Sequence, residues 1–386
     1  MTSAHPEAPI RVLSWNVNGL GDRIKRRIVS QFLKRHSPDV VLLQETHLKG
    51  NTYRALDRGG YQIKAHAGFT SGSRGVGILI KKSLPFVIQA THTDMQGRYI
   101  AVTGMWAGQV LNILSIYVPP RLHHQLFPDL GDLLLQLPKG ALLMGGDFNL
   151  VMDESRDRWP IKGLTIAKSP LADFVGPLGL VDLWRLHNPD TLQYTFHSGA
   201  HGSLSRIDYL LVQMGQTHSF RNVRLMARGI SDHAPVWAVF GHQSRDTHSS
   251  ITINPWYLRV PAIGEGICKA TELYFKENAQ SVESPLTLWE AYKAVIRGQA
   301  LSVIVGHKKE KRAQLDSLEK DIQLLEQKAI TTGASEDRHN LLIKQKEYRN
   351  VVDDAAKLAN KAVQHKLYEV GDKAGKLLHG LTIENN

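Results

Sequence analysis

Eight short apolar runs rich in β-branched residues occupy the stretch from residue 10 to residue 240, and each is bounded by Gly, Pro, Asn or a charge. They are "IRVLSWNV" (10–17), "DVVLLQE" (39–45), "GVGILI" (75–80), "YIAVTGMW" (99–106), "VLNILSIYV" (110–118), "ALLMGGDF" (141–148), "RIDYLLV" (206–212) and "APVWAVF" (234–240). Runs of this length and composition form strands. Several are apolar at nearly every position, which belongs to sheets covered on both faces. Helical patterns lie between some of them. "RIKRRIVSQFLKRH" (23–36) places Ile24, Ile28, Phe32 and Leu33 on one face. "LADFVGPLGLVDLWRLH" (171–187) is a second candidate, interrupted by Pro177 and Gly179. The expected class is α/β, with two packed sheets and helices outside.

Past Gly241 the pattern changes. "GHQSRDTHSSITINP" (241–255) is polar and reads as a linker. The expected organisation is a domain over 1–241, a linker over 242–260 and a helical extension over 261–386. Leu288, Ala291, Tyr292, Val295 and Ile296 recur at helical spacing. Leu315, Leu318, Ile322, Leu325 and Ala329 then step by three and four, a heptad seam over about two heptads, short of the three or four of a sustained coiled coil. "TTGAS" (331–335) breaks the pattern, with Ser335 as candidate N-cap, and a second charged helix runs to about Leu367. The extension therefore reads as a helical hairpin, partly coiled-coil.

Charge narrows the partner. The 386 residues carry a formal net charge of +11, which favours a polyanion. No run approaches the roughly 20 apolar residues that span a bilayer, so a membrane partner is not expected and nucleic acid is. Cys268 is the single cysteine, so no disulfide closes within the chain and no cysteine cluster binds zinc. The first residues lack the basic start and apolar run of a secretory signal. The expected location is nucleus or cytoplasm, not the secreted space.

The chemistry gathers at strand ends. Asn16 and Asn18 follow "RVLSW", Glu45 follows "VVLLQ", Tyr117 follows "LNILSI", and Asp147 and Asn149 follow "ALLMGG". Asp208 lies in "SRIDYLL", and Ser231, Asp232 and His233 precede "APVWAVF". One strand-end Asp is commonly a turn former or a helix cap. This many endings in one domain point to a shared cleft. Carboxylates suit a hard cation such as Mg²⁺. A His beside a buried Asp is held cationic. Asn and Tyr can donate to phosphoryl oxygens. Together these describe metal-assisted hydrolysis of a phosphate ester. No GxxxxGK[ST] occurs, and "SGSRGVG" (71–77) reads as a hairpin turn, not a dinucleotide fingerprint.

"SWNVNG", "LLQETHL", "LNILSIYVP", "GGDFN", "SRIDYLLV" and "SDHAPV" resemble, in order and spacing, the motif set of the endonuclease/exonuclease/phosphatase superfamily, from about Arg11 to Phe240. Within it the chain is most similar to apurinic/apyrimidinic endonucleases, above all the endonuclease domains of non-LTR retrotransposons. The segment "LWEAYKAVIRGQALS" (288–302) and the basic helix after it resemble the region that follows the nuclease in those elements, and no Tyr/Phe-x-Asp-Asp stretch of a reverse transcriptase occurs. The resemblance implies a four-layer α/β/β/α sandwich, to which the helical hairpin is appended. It implies a Mg²⁺-dependent DNA endonuclease, with Mn²⁺ as a substitute, leaving 3′-hydroxyl and 5′-phosphate ends. Alternatives are an exonuclease III-like or abasic-site repair nuclease, or a phosphatase of lipid or inositol phosphates. A nuclease-like binding module without catalysis is the reading from another class.

The resemblance assigns roles by position. Glu45 is the metal ligand, with Asn16 organising it and Asp232 a second metal-side or structural carboxylate. Asp147 orients or deprotonates the water, Asn149 and Tyr117 bind the phosphate, and Asp208 pairs with His233 to keep it protonated. Asn18, Ser231, Thr195 and Arg158 fall at substrate-side positions. Each has a plainer reading. Asn18-Gly19 is a turn signal, Tyr117 a packed aromatic, Ser231 a cap, and Arg158 a salt-bridge partner. "YTFHSGAHGSLSRID" (194–208) is expected to be a hairpin near DNA, with His197 and His201 in a context unlike the family's. "RIKRR" (23–27) and "GHKKEKR" (306–312) are either phosphate contacts or solvated helix faces. The helical extension is left three uses: docking on the nuclease, self-association, or docking to a polymerase absent from this chain.

Overall fold

A computed structural model describes residues 9–56, 60–69, 72–160, 169–198, 202–241, 257–258, 260–280 and 284–371. His201 and all of the expected linker except residues 257, 258 and 260 lie outside the described residues. The chain divides into two compact units. One joins Met1–Asp246 to Glu319–Val352, and the other joins Thr247–Leu318 to Asp353–Asn386. The helical extension, expected as one piece from residue 261, is thus shared between them.

The first unit is built on two six-stranded mixed sheets. Its elements begin with β1 (Ile10–Asn16), α1 (Arg23–His36), β2 (Val40–Gln44), β3 (Tyr61–Ala67), β4 (Val76–Lys81), β5 (Val87–Thr93), β6 (Tyr99–Trp106) and β7 (Gln109–Tyr117). They continue with α2 (His123–Gln136), β8 (Ala141–Asp147), β9 (Arg158–Trp159), α3 (Pro170–Val175), β10 (Leu180–Asp182) and α4 (Leu183–His187). The last strands are β11 (Phe196–Ser198), β12 (Ser203–Ser205), β13 (Asp208–Gln213), β14 (Phe220–Leu225) and β15 (Val236–Phe240). One sheet runs β14-β15-β1-β2-β4-β3, the other β10-β13-β8-β7-β6-β5, and β11-β12-β9 form a small third sheet.

Each large sheet is centred on one crossover unit. β1 and β2 are parallel and joined through α1; β7 and β8 are parallel and joined through α2. Parallel neighbours need such a crossover, because a tight turn cannot return the chain to the same edge. The alternation along β8 and β13 separates two apolar layers. Leu143, Leu210 and Val212 enter the core between the sheets with Val12, Leu42 and Ile113. Leu142, Met144, Tyr209 and Leu211 face the opposite way, under Leu126, Leu130 and Leu133 of α2. The second helical candidate is broken where its Pro and Gly stand, into α3, β10 and α4.

Helices α5 (Pro261–Asn278), α6 (Pro285–Thr332) and α7 (Ser335–Gly371) follow. In the second unit, Ile263 of α5 and Ile304 of α6 share an apolar cluster with Val260. The turn between α6 and α7 falls at the expected break. Gly333 takes a positive φ of 63° and donates to the Ala329 carbonyl at 3.1 Å, as a helix-ending glycine does. Ser335 is the first helical residue of α7, and Asp337 closes the turn instead, accepting from Thr332 Oγ1 at 2.6 Å and pairing with Lys328 at 2.7 Å. Ile322, Ala329, Leu341, Tyr348 and Val352 of the first unit are buried.

Candidate active site

The two crossover units deliver their strand ends to one edge. Asn16 ends β1, Glu45 follows β2, Tyr117 ends β7 and Asp147 ends β8. Carboxyl ends of strands flanking a crossover are where α/β sheets open a crevice. Two antiparallel strands start at the same edge. Asp208 opens β13 opposite Asp147, and His233 lies three residues before β15. Six expected site residues thus come together from six segments: Asn16, Glu45, Tyr117, Asp147, Asp208 and His233.

Asn16 ties the sheets together. Its Nδ2 donates to Glu45 Oε1 at 3.0 Å and to Asp147 Oδ2 at 2.8 Å. Its Oδ1 accepts from the Asn18 N–H at 2.9 Å, so the amide cannot flip without losing three bonds. Asp147 is further held by the Asn149 N–H at 2.9 Å, while Asn149 Nδ2 donates to the Val118 carbonyl at 2.9 Å. Tyr117 is buried with its hydroxyl in hydrogen-bond reach of Glu45. Burial, with the Glu45 and Asp147 charges, holds that phenol well above its ordinary pKa, so it is a donor. Backbone strain marks the same place. Glu45, His47, Asn18 and Asn149 have φ of 48°, 54°, 45° and 50°. Asn tolerates this region; Glu rarely does, and such outliers cluster at functional sites.

His233 Nδ1 lies 2.8 Å from Asp208 Oδ2, and its Nε2 faces Asp147 Oδ2 at 3.9 Å. Burial alone would lower the imidazole, but the Asp208 and Asp147 charges prevail and raise it to about 10. Burial, then the Asp208 charge, push Asp147 up to about 7, against the His233 charge and the Asn149 and Asn16 hydrogen bonds. The site therefore holds a fixed cation and, across from it, a carboxylate able to change protonation near neutral pH. The ring is pinned by Phe196 at 4.7 Å between centroids, and Trp15 Nε1 donates to the His233 carbonyl at 3.2 Å.

The flanking residues sort by distance from this centre. Ser231 Oγ donates to the Asn16 carbonyl at 2.8 Å, fixing the His233 loop to β1. Asn18 Nδ2 donates to Asp232 Oδ1 at 3.1 Å at the exposed rim. Thr195 is fully buried, and its Oγ1 accepts from the N–H groups of Ile207 and Asp208 at 3.0 and 3.1 Å. It therefore orients the Asp208 strand. Arg158 pairs with Glu154 at 3.3 Å on the small sheet. The Asp beside it, Asp157, is buried and gripped by Arg206 and Arg185 at 2.9 and 2.7 Å.

Several residues at the site escaped the reading of the sequence. His47 Nε2 lies 3.3 Å from Glu45 Oε2. Phe196 and Trp15 hold His233. Only His47 carried a signal, an imidazole two residues after a strand-end carboxylate. The others act through space.

The donor set fits a hard divalent cation. Glu45 is the carboxylate nearest solvent among the inner ones, with 20% side-chain exposure, and a carboxylate oxygen is the ligand such a cation prefers. Asp147, Asp208 and His233 also offer atoms within 4.8 Å of one another. Of these, His233 Nδ1 and Asp208 Oδ2 are already paired at 2.8 Å, so a cation among them would compete with His233 for Asp208.

A model of the endonuclease/exonuclease/phosphatase family matches residues 13–233. The chain belongs to that family. The family comprises endonucleases, exonucleases and phosphatases, so the chain is a hydrolase of a metal-dependent family. The chain is 28% identical over 233 residues to the transposon TX1 uncharacterized 149 kDa protein of Xenopus laevis, covering 58% of itself and 17% of that protein. It is 27% identical over 272 residues to exodeoxyribonuclease III of Haemophilus influenzae, covering 60% of itself and 100% of that enzyme. The fold is that of the AP endonuclease LMAP from Leishmania major, at a TM-score of 0.52 and 19% identity, over 61% of this chain and 88% of that one. The matched region stops short of the helical extension.

Proposed function

We propose that the chain is a Mg²⁺-dependent DNA endonuclease that nicks target DNA, leaving a 3′-hydroxyl and a 5′-phosphate. The observation carrying this reading is the Asn16 amide shared between Glu45 and Asp147, with the His233–Asp208 pair facing it. Glu45, with Asn16 and Asp232 beside it, would hold a divalent cation, which when bound would supply positive charge to the scissile phosphate. Asp147 orients the attacking water and takes its proton, a role suited to a pKa of about 7. The His233 imidazolium presents Nε2–H to a non-bridging phosphate oxygen. Asn149 and Tyr117 flank the same phosphoryl group and donate to it, as its charge grows, by exchanging their bonds to Asp147 and Glu45.

The match to exodeoxyribonuclease III over its whole length favours a second reading, an abasic-site or exonucleolytic repair enzyme. One assay separates the readings. Supercoiled plasmid, an abasic duplex, a blunt duplex and an inositol polyphosphate are incubated with Mg²⁺ and with chelator. Nicking of intact plasmid that requires Mg²⁺, is sealed by DNA ligase, and falls to a small residual rate in Glu45→Ala and His233→Ala supports the endonuclease. Cleavage confined to the abasic duplex supports repair. Release of inorganic phosphate from the inositol compound alone refutes both.

A further inference from the structure

The loop between β14 and β15 carries Ser231, Asp232 and His233. Toward the sandwich it is tied by backbone bonds. The Met226 N–H reaches the Pro235 carbonyl at 2.9 Å, and the Ala234 N–H reaches the Thr195 carbonyl at 2.7 Å. On its other side lie residues of α6 and α7 from the stretch Glu319–Val352, which belongs to the same compact unit.

The contacts are specific to the loop backbone. A Cβ on Gly229 would lie 2.5 Å from Tyr348 Cδ1, so the ring occupies the space a side chain would need. Arg349 Nε donates to the Gly229 carbonyl. Arg228, 5% exposed, pairs with Glu326 at 3.1 Å. Gln323 Nε2 reaches the Leu225 carbonyl at 3.5 Å, where β14 ends. Tyr348 is itself anchored: its hydroxyl donates to Glu319 Oε1 at 2.9 Å, and Arg35 near the end of α1 donates to the same oxygen at 2.5 Å. One tyrosine therefore closes on Gly229 and is fixed to the helix that crosses from β1 to β2.

We propose that Glu319–Val352 is a clamp on the catalytic loop and an integral part of the nuclease, with Tyr348 and Arg349 as positioning residues for His233. Arg228 and Glu326 are buried as a pair, so removing either one leaves the other charge stranded at the docked surface. Gly229, four residues before His233, is held by the Tyr348 ring and the Arg349 bond. A displacement of His233 by about 1 Å is enough to cost about a hundredfold in rate. The catalytic half of this inference rests on the nuclease reading; the mechanical half does not.

Full-length Tyr348→Ala, Arg349→Ala and Tyr348→Phe are compared with wild type, with Leu342→Ala, at an exposed position, as control. Hydrogen exchange in divalent-free buffer reads the loop directly. Amides of 226–234 should exchange about tenfold faster in Tyr348→Ala while the β7–β8 ladder stays protected. Plasmid nicking should lose at least about tenfold in kcat with KM within about twofold, and Tyr348→Phe, which keeps the ring over Gly229, should retain most of the rate. On a His233→Ala background, Tyr348→Ala should cost less than about twofold more, because the two act as one unit. Unchanged loop exchange overturns the clamp, whatever the nicking assay reads. Faster exchange with wild-type kcat, or an equal loss on the His233→Ala background, overturns the positioning role. Should Tyr348→Ala fail to fold, Arg349→Ala, exposed on α7, decides by the same comparisons. A wild type that cleaves no phosphodiester refutes the nuclease reading, and the exchange data still decide the clamp.

Discussion

The Asn16 amide has two N–H bonds, and each serves a different sheet: one goes to Glu45 after β2, the other to Asp147 of β8. Asn16→Asp replaces two donors by acceptors facing two carboxylates. We expect nicking to fall by at least about a hundredfold and stability by about 1–3 kcal/mol, read by urea unfolding. His233 allows a prediction with a sign. Its folded pKa of about 10 lies above the ordinary 6.5, so the proton binds the folded chain more tightly. That contribution is complete below about pH 6.5 and is lost as pH rises through about 10. Asp147 is also raised, from 3.8 to about 7, so its contribution fades on the same upward path but earlier. Unfolding midpoints in divalent-free buffer should therefore decline from pH 7 to 10, and His233→Ala should flatten that decline. The same variant leaves Asp208 buried without its partner, at a cost of about 3–5 kcal/mol. Site residues at strand ends were legible because polar groups stand out after apolar runs. Phe196 and Trp15 were not, since an aromatic in a strand reads as core whether or not it touches an imidazole.

At the scale of elements, β8 shows how a strand aims its chemistry. Gly145 faces the other sheet, where a Cβ would meet Leu42 Cδ1 at 2.6 Å and Leu210 Cδ2 at 2.8 Å. Gly146 lies against β7, where a Cβ would fall 1.9 Å from the Ile116 carbonyl oxygen. Both glycines thus serve close approach by neighbours. Phe148, fully buried, then locks the strand end against Tyr209. Gly146→Ala has only backbone to push against, and should destabilise by more than Gly145→Ala, whose neighbours are methyl groups. We expect about 1–3 kcal/mol at Gly145 and a larger loss at Gly146, measured by thermal unfolding. The central strands were legible from β-branched runs, and the β11–β12 hairpin from its turn residues. The strands β3, β5 and β14 were not, being mixed in polarity, and β9 is too short to show a period.

For the whole molecule, charge and boundary matter most. With a net charge of +11, binding to duplex DNA should weaken steeply with salt, by about 10³–10⁵ between 50 and 200 mM if six to ten phosphates are contacted. Fluorescence anisotropy of a labelled duplex, with chelator present to prevent cleavage, reads the slope; a flat salt response would contradict a phosphate-lined groove. The boundary drawn at residue 241 follows composition, and composition reports only that a polar stretch separates two patterns. It is silent on whether later helices return. Glu319–Val352 does return, because Arg228, Gly229 and Arg35 find partners there. The sequence by itself determined the residue types of the site, the eight runs that form the central strands and the class of fold, since each is written in local pattern. Only the tertiary structure decided that Asn16 joins two carboxylates, that His233 is held from both sides, and that helices beyond residue 318 share the nuclease unit. Those depend on contacts between segments from 25 to 284 residues apart, which no local pattern encodes.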